Sequence, residues 1–192
     1  MALFGKQKYD FLGIGDITVD TFIRLKEARV VRDGSGGKPS ICLNFADKIP
    51  YEKKYNIPAV GNSPNAAVAA ARLGLKSALM TNIGSDREGD DCIEALRKEN
   101  VSAEFITVSN NHKTNSHFVL WFEDDRTILV KHEKYDYHLR EFGEPKWVYL
   151  SSLGEHSLAF HDEILKYLNL HPEIKLAFQP GTFQMAFGKD AL

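Results

Sequence analysis

The sequence has few of the residues that mark metal sites, disulfide frameworks or membrane spans. Among its 192 residues there are only two cysteines, Cys42 and Cys92, and they lack the paired spacing of a zinc site. The seven histidines are scattered without an H-x-x-H pattern, so we predict no metal site. No apolar run approaches the length of a membrane-spanning helix, and we expect no membrane partner.

The chain also lacks an excess of charge of either sign. Its formal net charge is −2 and 43% of its residues are hydrophobic, which is typical of a globular protein with an ordinary core. Because no basic excess is present, we expect no nucleic-acid partner. The N-terminal residues lack a basic stretch followed by an apolar signal core. Together with the scarcity of cysteine, this predicts a protein of the reducing cytoplasm.

The most informative stretch is residues 61–74, a small polar turn that opens into an alanine-rich segment. Asn62 and Ser63 suit an N-terminal cap, Pro64 suits a first helical turn, and Gly74 suits a helix end. The stretch therefore predicts a helix whose two ends are marked locally. A helix start with polar side chains and no bulk is typical of a site for hydroxyl-rich or anionic ligands. A capped helix that only packs on a sheet would have the same features.

Elsewhere, strand-like and helix-like segments alternate. Apolar runs predict strands, and helical periodicity predicts helices at about 87–100 and ahead of Pro172. The predicted strands of this kind are residues 9–14, 77–83, 147–150 and 174–178. Two further segments, within 19–44 and 116–132, contain strands without helices. This order predicts an α/β protein with a mainly parallel sheet flanked by helices and a separate small β lid.

The stretch at 61–74 resembles the first signature of the PfkB family of carbohydrate kinases, which includes the ribokinases. The positions that match this signature are Gly61, Asn65, Ala67, Gly74 and Gly84. The family usually has a glycine pair at the turn, whereas Val60 precedes Gly61 here. The resemblance covers nearly all of this chain but only about the first three fifths of the family fold. It implies an N-terminal portion of a ribokinase-like protein, with residues 1–192 forming one truncated domain.

The resemblance also implies a sugar-binding site. Asp20 matches the family's aspartate that binds sugar hydroxyls, and Thr18 lies where some members have a polar partner. A carboxylate accepts hydrogen bonds from two adjacent hydroxyls, and an asparagine both donates and accepts, so both suit a polyhydroxylated small molecule. The predicted substrate-binding residues are Thr18, Asp20, Gly61, Asn62, Asn65 and Ser116. Asn62 is equally suited to helix capping. Ser116, His117 and Arg126 lie on the lid implied by the resemblance, and their positions favour a solvated strand and turn over a ligand contact.

In the family, lid strands close over the sugar and often pair with a second subunit. The resemblance implies such lid segments at about 19–60 and 114–132, and a homodimer through them.

Other glycine-rich segments do not predict a nucleotide site. In one of them, Thr18 stands at the position where the dinucleotide-binding fingerprint needs its third glycine. In the other, Gly36-Gly37-Lys38 is followed by Pro39, which does not match a phosphate-binding loop. Asp86 predicts a helix cap and not a catalyst.

The chain has no counterpart of the family's C-terminal signature, D-T-x-G-A-G-D, whose amides hold phosphate charge and whose last aspartate deprotonates the acceptor hydroxyl. We therefore predict no catalytic and no cofactor-binding residue in this chain. The resemblance implies the substrate-binding part of a sugar kinase that uses ATP and Mg²⁺, inactive by itself. Two alternatives stay open: a non-catalytic sugar-binding or dimerisation module, and a nucleoside kinase fragment whose base would stack on Phe22, Phe45 or Phe118.

Overall fold

A six-stranded sheet and a smaller, four-stranded sheet organise two compact parts of the chain. The computed structural model describes residues 9–32, 34 and 36–188. The first unit contains the described residues of 1–19, 58–115 and 132–192, and the second unit those of 20–57 and 116–131. No helix in these described ranges is both long enough and apolar enough to cross a membrane.

Strands and helices are numbered along the chain. The strands are β1 (Phe11–Ile14), β2 (Thr18–Leu25), β3 (Arg29–Val31), β4 (Ser40–Cys42), β5 (Tyr51–Val60), β6 (Ser77–Gly84), β7 (Val101–Ser102), β8 (Ile106–Ser109), β9 (Ser116–Phe122), β10 (Asp125–Lys131), β11 (Trp147–Leu150) and β12 (Lys175–Phe178). The helices are α1 (Asn62–Arg72), α2 (Arg87–Lys98), α3 (Leu158–Leu170) and α4 (Thr182–Phe187).

The large sheet lies in the first unit, and its strands pair in parallel. Their order is β12-β11-β1-β6-β7, and β8 pairs with β6 beyond this path. Parallel neighbours need crossover connections, and α1, α2 and α3 lie in such connections along the chain. The predicted α/β class, a mainly parallel sheet flanked by helices, is confirmed.

Two apolar clusters form the core of this unit because side chains alternate between the faces of a strand. On β6, Met80 belongs to one cluster together with Ile164 of α3. Leu79 and Ile83, which point the other way, belong to the second cluster together with Leu96 of α2. Every residue of β6 is buried, as expected for a parallel strand with both faces covered.

The second unit is built from β-strands. A four-stranded sheet has the order β10-β9-β2-β5, and β3 and β4 form an antiparallel pair. The sequence predicted each of these strands except β5, whose first seven residues are exposed. Charged residues such as Lys53 and Lys54 interrupt the apolar pattern of β5, so the sequence did not predict this strand. An edge strand tolerates such charges because one side of it faces solvent.

The predicted capping of α1 is wrong. The N-cap is Gly61, and no side chain caps the helix. Ser63 Oγ instead donates to the Ile14 carbonyl at 2.7 Å, and Asn62 Nδ2 donates to Ser152 Oγ at 3.1 Å. The two side chains therefore tie the helix start to the end of β1 and to the loop that follows β11. The cap predicted for α2 is confirmed, since Asp86 accepts a hydrogen bond from the Gly89 amide at 3.0 Å.

Gly15 provides a test of how tightly α1 packs against the end of β1. A Cβ at this position would lie 2.6 Å from Ser63 Oγ and 2.7 Å from Ser151 Oγ, two buried hydroxyls. We predict that Gly15→Ala lowers the free energy of unfolding by about 1–3 kcal/mol through overpacking, measured by urea denaturation. Gly34→Ala is the control, because a Cβ there meets no atom within 4 Å. Equal stability of the two variants would contradict the packing described.

The two cysteines should differ in reactivity. Cys92 is buried, its Sγ accepts a hydrogen bond from the Ala59 amide at 3.2 Å, and burial raises its pKa to about 12. Cys42 is half-buried on β4. Since the thiolate is the reactive form, we predict that DTNB modifies Cys42 but not Cys92 in the folded protein at about pH 8. Both thiols should react with DTNB in guanidinium. The folded Cys42→Ser variant should not react. Rapid labelling of this folded variant would contradict the prediction, because it would show that Cys92 is accessible.

Candidate functional site

The carboxyl ends of three neighbouring parallel strands form one edge of the first unit's sheet. Asp16 follows β1, Ser152 follows β11, and Gln179 follows β12. The strands are held together beyond their ends, because the Asp16 amide donates to the Ser152 carbonyl and the Gln179 amide donates to the Leu150 carbonyl, both at 2.9 Å. In open α/β sheets, ligands bind at the carboxyl ends of the strands. We call this part of the first unit the carboxyl edge.

The start of α1 lies directly against this edge. Gly61 has a φ of +133°, a conformation that L side chains rarely adopt, and a Cβ there would lie 2.6 Å from the Asp16 carbonyl oxygen. Glycine is therefore required at this position. The buried Ser63 hydroxyl joins the same helix start to Ile14 and lies 2.6 Å from Ser151 Oγ. These contacts fix the first turn of α1 at the carboxyl edge.

Two of the predicted substrate-binding side chains, Asn62 and Asn65, lie on this first turn and are exposed. The Asn62 amide is engaged with Ser152 Oγ, as described above. Asn65 uses its backbone amide to donate to the Gly61 carbonyl at 3.0 Å. Its side chain has no hydrogen-bond partner within the described part of the chain. The Asn65 side chain is thus able to donate to and accept from a ligand hydroxyl.

Thr18 also lies in the first unit, but it is buried and faces the backbone. Its hydroxyl donates to the Asn115 carbonyl at 3.1 Å. Asn115 is itself buried, and its Nδ2 donates to the Ile17 carbonyl at 3.2 Å. Because the Thr18 proton is already used, a ligand would find only the acceptor side of this hydroxyl. The assignment of Thr18 to substrate binding stays a prediction.

The other two predicted residues, Asp20 and Ser116, lie in the second unit. Asp20 is 8% exposed, and its Oδ1 lies 3.2 Å from His117 Nδ1 on β9. Ser116 is half-buried and stands opposite Lys131 in the β9–β10 register. The imidazole thus lies beside the Asp20 carboxylate, whose buried Oδ1 accepts no hydrogen bond from the described residues. The roles of Asp20 and Ser116 in sugar binding stay predictions.

The sequence reasoning missed a buried carboxylate at the carboxyl edge. Asp16 is 7% exposed, and the Tyr137 hydroxyl donates to its two carboxylate oxygens at 2.9 and 3.1 Å. His132 Nδ1 lies 3.5 Å from Asp16 Oδ2. We call Asp16, Tyr137 and His132 the Asp16 cluster. Burial and the Asp16 charge raise the pKa of Tyr137 well above its usual range, so this hydroxyl keeps its proton and remains a donor.

The sequence indicates one member of the Asp16 cluster but not its partner Tyr137. Asp16 stands directly after a predicted strand, which is a common place for a functional carboxylate. Tyr137 is 121 positions away, and nothing in its neighbourhood marks it as a partner. Only the folded chain brings the two together.

The described residues contain one group of three side chains that could hold a metal ion. The ligand atoms of Glu144, His171 and Glu173 lie within 4.8 Å of one another. Both glutamates are exposed, and His171 Nδ1 lies 3.4 Å from Glu173 Oε1 and 3.9 Å from Glu144 Oε1. Charge pairing at the end of α3 accounts for this arrangement, so we assign no metal to it.

Solved structures with the same fold were found for this chain. The ribokinase of Arabidopsis thaliana, complexed with ribose and ATP, superposes with a TM-score of 0.66 at 14% identity, over 90% of this chain and 53% of that one. A nucleoside kinase of Methanocaldococcus jannaschii gives a TM-score of 0.61 at 15% identity, over 96% of this chain and 56% of that one. At such low identity these similarities establish the fold alone.

Comparisons of sequence identify the protein family in addition to the fold. A ribokinase of Haemophilus influenzae is 32% identical over 111 residues, which are 53% of this chain and 36% of that protein. The chain thus spans about half the length of the structures it matches, and its alignment with this relative covers about a third of that protein. Residues 37–168 match the family described as pfkB family carbohydrate kinase. Since this match takes in well over half of the sequence, the chain belongs to the pfkB family of carbohydrate kinases, as the glycine and asparagine pattern at residues 61–84 predicted.

Proposed function

We propose that this chain is the sugar-binding part of an ATP-dependent kinase that transfers the γ-phosphoryl group to a sugar hydroxyl. The observation that carries this proposal is the start of α1 at the carboxyl edge. There Gly61 allows close backbone approach to Asp16, and Asn65 offers an unengaged amide. Family membership supports a carbohydrate as the ligand, and the Arabidopsis relative was solved with ribose and ATP.

The chemistry of the candidate residues suits a polyhydroxylated ligand. A sugar hydroxyl donates and accepts at once, and the Asn65 side chain does both. In the second unit, Asp20 is proposed as an acceptor for two adjacent hydroxyls, and such charge-assisted hydrogen bonds are stronger than neutral ones. Binding of this kind supplies the positioning of the acceptor hydroxyl, which is one part of what phosphoryl transfer requires.

We propose that this chain does not itself bind ATP or Mg²⁺. The D-T-x-G-A-G-D segment that holds phosphate charge in the family does not occur in the sequence. The space beside Gly15 is filled by the Ser63 and Ser151 hydroxyls and leaves no room for a phosphate. Gly36 and Lys38 lie between β3 and β4 and do not precede a helix. We therefore assign the family's ATP and Mg²⁺ to no residue of this chain and derive only the binding of the sugar.

Three further proposals follow from family membership. The strand-only segments at about 19–60 and 114–132 are proposed as the lid, and a homodimer through lid strands is proposed as the assembly. Exposed apolar side chains on β10, among them Leu129 and Val130 at 52% and 58%, support a partner for this strand. The free state of both cysteines supports a cytoplasmic location.

Ligand binding by the full 192-residue chain tests the proposed function. We predict that sugars raise the thermal unfolding midpoint in a concentration-dependent manner. Asn65→Ala should weaken sugar binding by up to about tenfold, because it removes one or two neutral hydrogen bonds. Isothermal titration calorimetry measures the change. Asn169→Ala, on an exposed position of α3, is the matched control and should bind as the unaltered chain does.

The same experiment separates the alternatives. Nucleosides are titrated beside the sugars, and a chain that binds adenosine or uridine more tightly than any free sugar is a nucleoside-kinase fragment. The candidate base platforms differ in exposure, since Phe45 is fully exposed and Phe118 is 47% exposed. Binding of neither ligand class would refute the proposed function.

Catalysis is predicted to be absent from this polypeptide alone. Phosphoryl transfer needs a base and stabilisation of developing charge in addition to a bound acceptor, and the family segment that supplies them is absent from the sequence. We expect no sugar-dependent ADP release in a coupled assay with ATP and Mg²⁺. Turnover at about 1–100 s⁻¹, the usual range for kinases, would show that other residues of the chain perform the chemistry. Sugar binding without turnover would fit the proposed role and would equally fit a non-catalytic binding module.

A further inference from the structure

We propose that Cys92 is a positioning residue for sugar binding, because its thiol holds Ala59 in the conformation from which the chain turns into the start of α1. The inference rests on the proposed function and deepens it, since it adds a residue that touches no ligand and still sets the affinity of the site. Neither Cys92 nor Ala59 was selected from the sequence as a site residue.

Ala59 has an unusual backbone conformation. Its φ is +60°, in the left-handed region that an alanine disfavours because its Cβ crowds the backbone there. Such a residue persists only where its surroundings hold it, and residues of this kind cluster at ligand sites. Two residues later, Gly61 has a φ of +133° and is the N-cap of α1. Two residues with positive φ therefore shape the passage from β5 into α1, and only the second is a glycine.

The Cys92 thiol is the polar group that holds Ala59. Its Sγ accepts a hydrogen bond from the Ala59 amide at 3.2 Å, and Cys92 is fully buried. Ala59 also packs against the apolar cluster to which Cys92 belongs. Burial raises the pKa of Cys92 to about 12, so this acceptor is a neutral thiol and brings no charge into the core. The hydrogen bond and the packing together stabilise the left-handed conformation.

The helix that carries Cys92 is anchored at its own start. Asp86 accepts hydrogen bonds from the Gly89 amide at 3.0 Å, from the Thr114 amide at 3.0 Å and from the Thr114 hydroxyl at 2.6 Å. Gly89 lies so close to the end of β6 that a Cβ there would come within 2.5 Å of the Gly84 carbonyl oxygen. Because α2 is fixed to the sheet in this way, its thiol offers Ala59 an acceptor at a fixed place.

The conformation of Ala59 bears directly on Asn65. The Gly61 carbonyl, two residues beyond Ala59, accepts a hydrogen bond from the Asn65 amide at 3.0 Å. The turn at Gly61 is thus held from the β1 side by its contact with Asp16 and from the α2 side through Cys92. Without the thiol, Ala59 returns more readily to negative φ, and fewer molecules keep this turn and the Asn65 side chain in the binding position. The apparent affinity falls in proportion to that share of molecules.

Calorimetric binding of ribose, arabinose, xylose and fructose to the full chain tests the inference. Cys92→Ala removes the acceptor and should weaken binding of the preferred sugar about fivefold, as expected if about a fifth of the molecules keep the competent conformation. Cys92→Ser keeps an acceptor and should bind within about twofold of the unaltered chain, although its buried hydroxyl lowers the unfolding midpoint. Leu96→Val, in the same cluster and on the same helix, is the matched control and should lower the midpoint without changing affinity.

Substitutions at position 59 provide a rescue that a purely structural role of Cys92 does not predict. Glycine adopts positive φ without steric cost, so Ala59→Gly in the Cys92→Ala background should recover part of the lost affinity. Ala59→Val should weaken binding with Cys92 intact, because a β-branched residue is rarely found at positive φ. The three-bond coupling between the amide proton and Hα of Ala59, measured by NMR, reports φ. It should change in Cys92→Ala but not in Leu96→Val.

The outcomes are distinguishable. If the unaltered chain binds none of the four sugars, the proposed function fails, and this inference fails with it. If the chain binds sugars and Cys92→Ala keeps either its affinity or its Ala59 coupling, the inference alone is overturned. An equal loss of affinity in Leu96→Val would also overturn it, because lowered stability would then account for the effect. Should Cys92→Ala fail to fold, Ala59→Val decides the question, and unchanged sugar affinity of that variant would overturn the inference.

Discussion

The close approach of α1 to the end of β1 is the contact on which the candidate site depends. At Gly15 and Gly61 a side chain would come within 2.6 Å of atoms in the opposite segment, so neither position accepts a larger residue at the observed spacing. Ser63 fills the remaining space with a hydroxyl that donates to the Ile14 carbonyl. This packing sets where the helix begins relative to the sheet. The amides of Asn62 and Asn65 reach the carboxyl edge only because the helix begins there.

The same edge combines buried and exposed polar groups with different roles. The Asp16 carboxylate is enclosed and bonded by Tyr137, whereas Asn65 is exposed with an unengaged side chain. Enclosed charges hold neighbouring groups in one orientation, because moving them would leave a buried charge without partners. Exposed amides can replace their hydrogen bonds to water with hydrogen bonds to a ligand. A site that binds a small polyhydroxylated molecule selectively needs both properties.

Local patterns predicted most of the large elements and few of the small ones. Continuous apolar runs identified β1 and β6, the polar turn and Gly74 identified α1, and the acidic turn after Phe122 identified the β9–β10 pair. β7 and β8 have two and four residues, which is too short for a period to be recognised. α4, with six residues, was missed for the same reason. The cap of α1 was mispredicted because Asn62 and Ser63 form hydrogen bonds with residues at the ends of β1 and β11, which are distant in sequence.

The sequence by itself determined the family and the α/β order of elements, because each of these depends on residues close together along the chain. Tertiary structure alone decided which side chains meet. Ser63 left its expected cap position for Ile14 and Ser151, and Asp16 gained Tyr137 from 121 positions away. A buried polar group must find its donors and acceptors wherever the fold brings them. Since these partners can lie anywhere along the chain, no local sequence pattern predicts them.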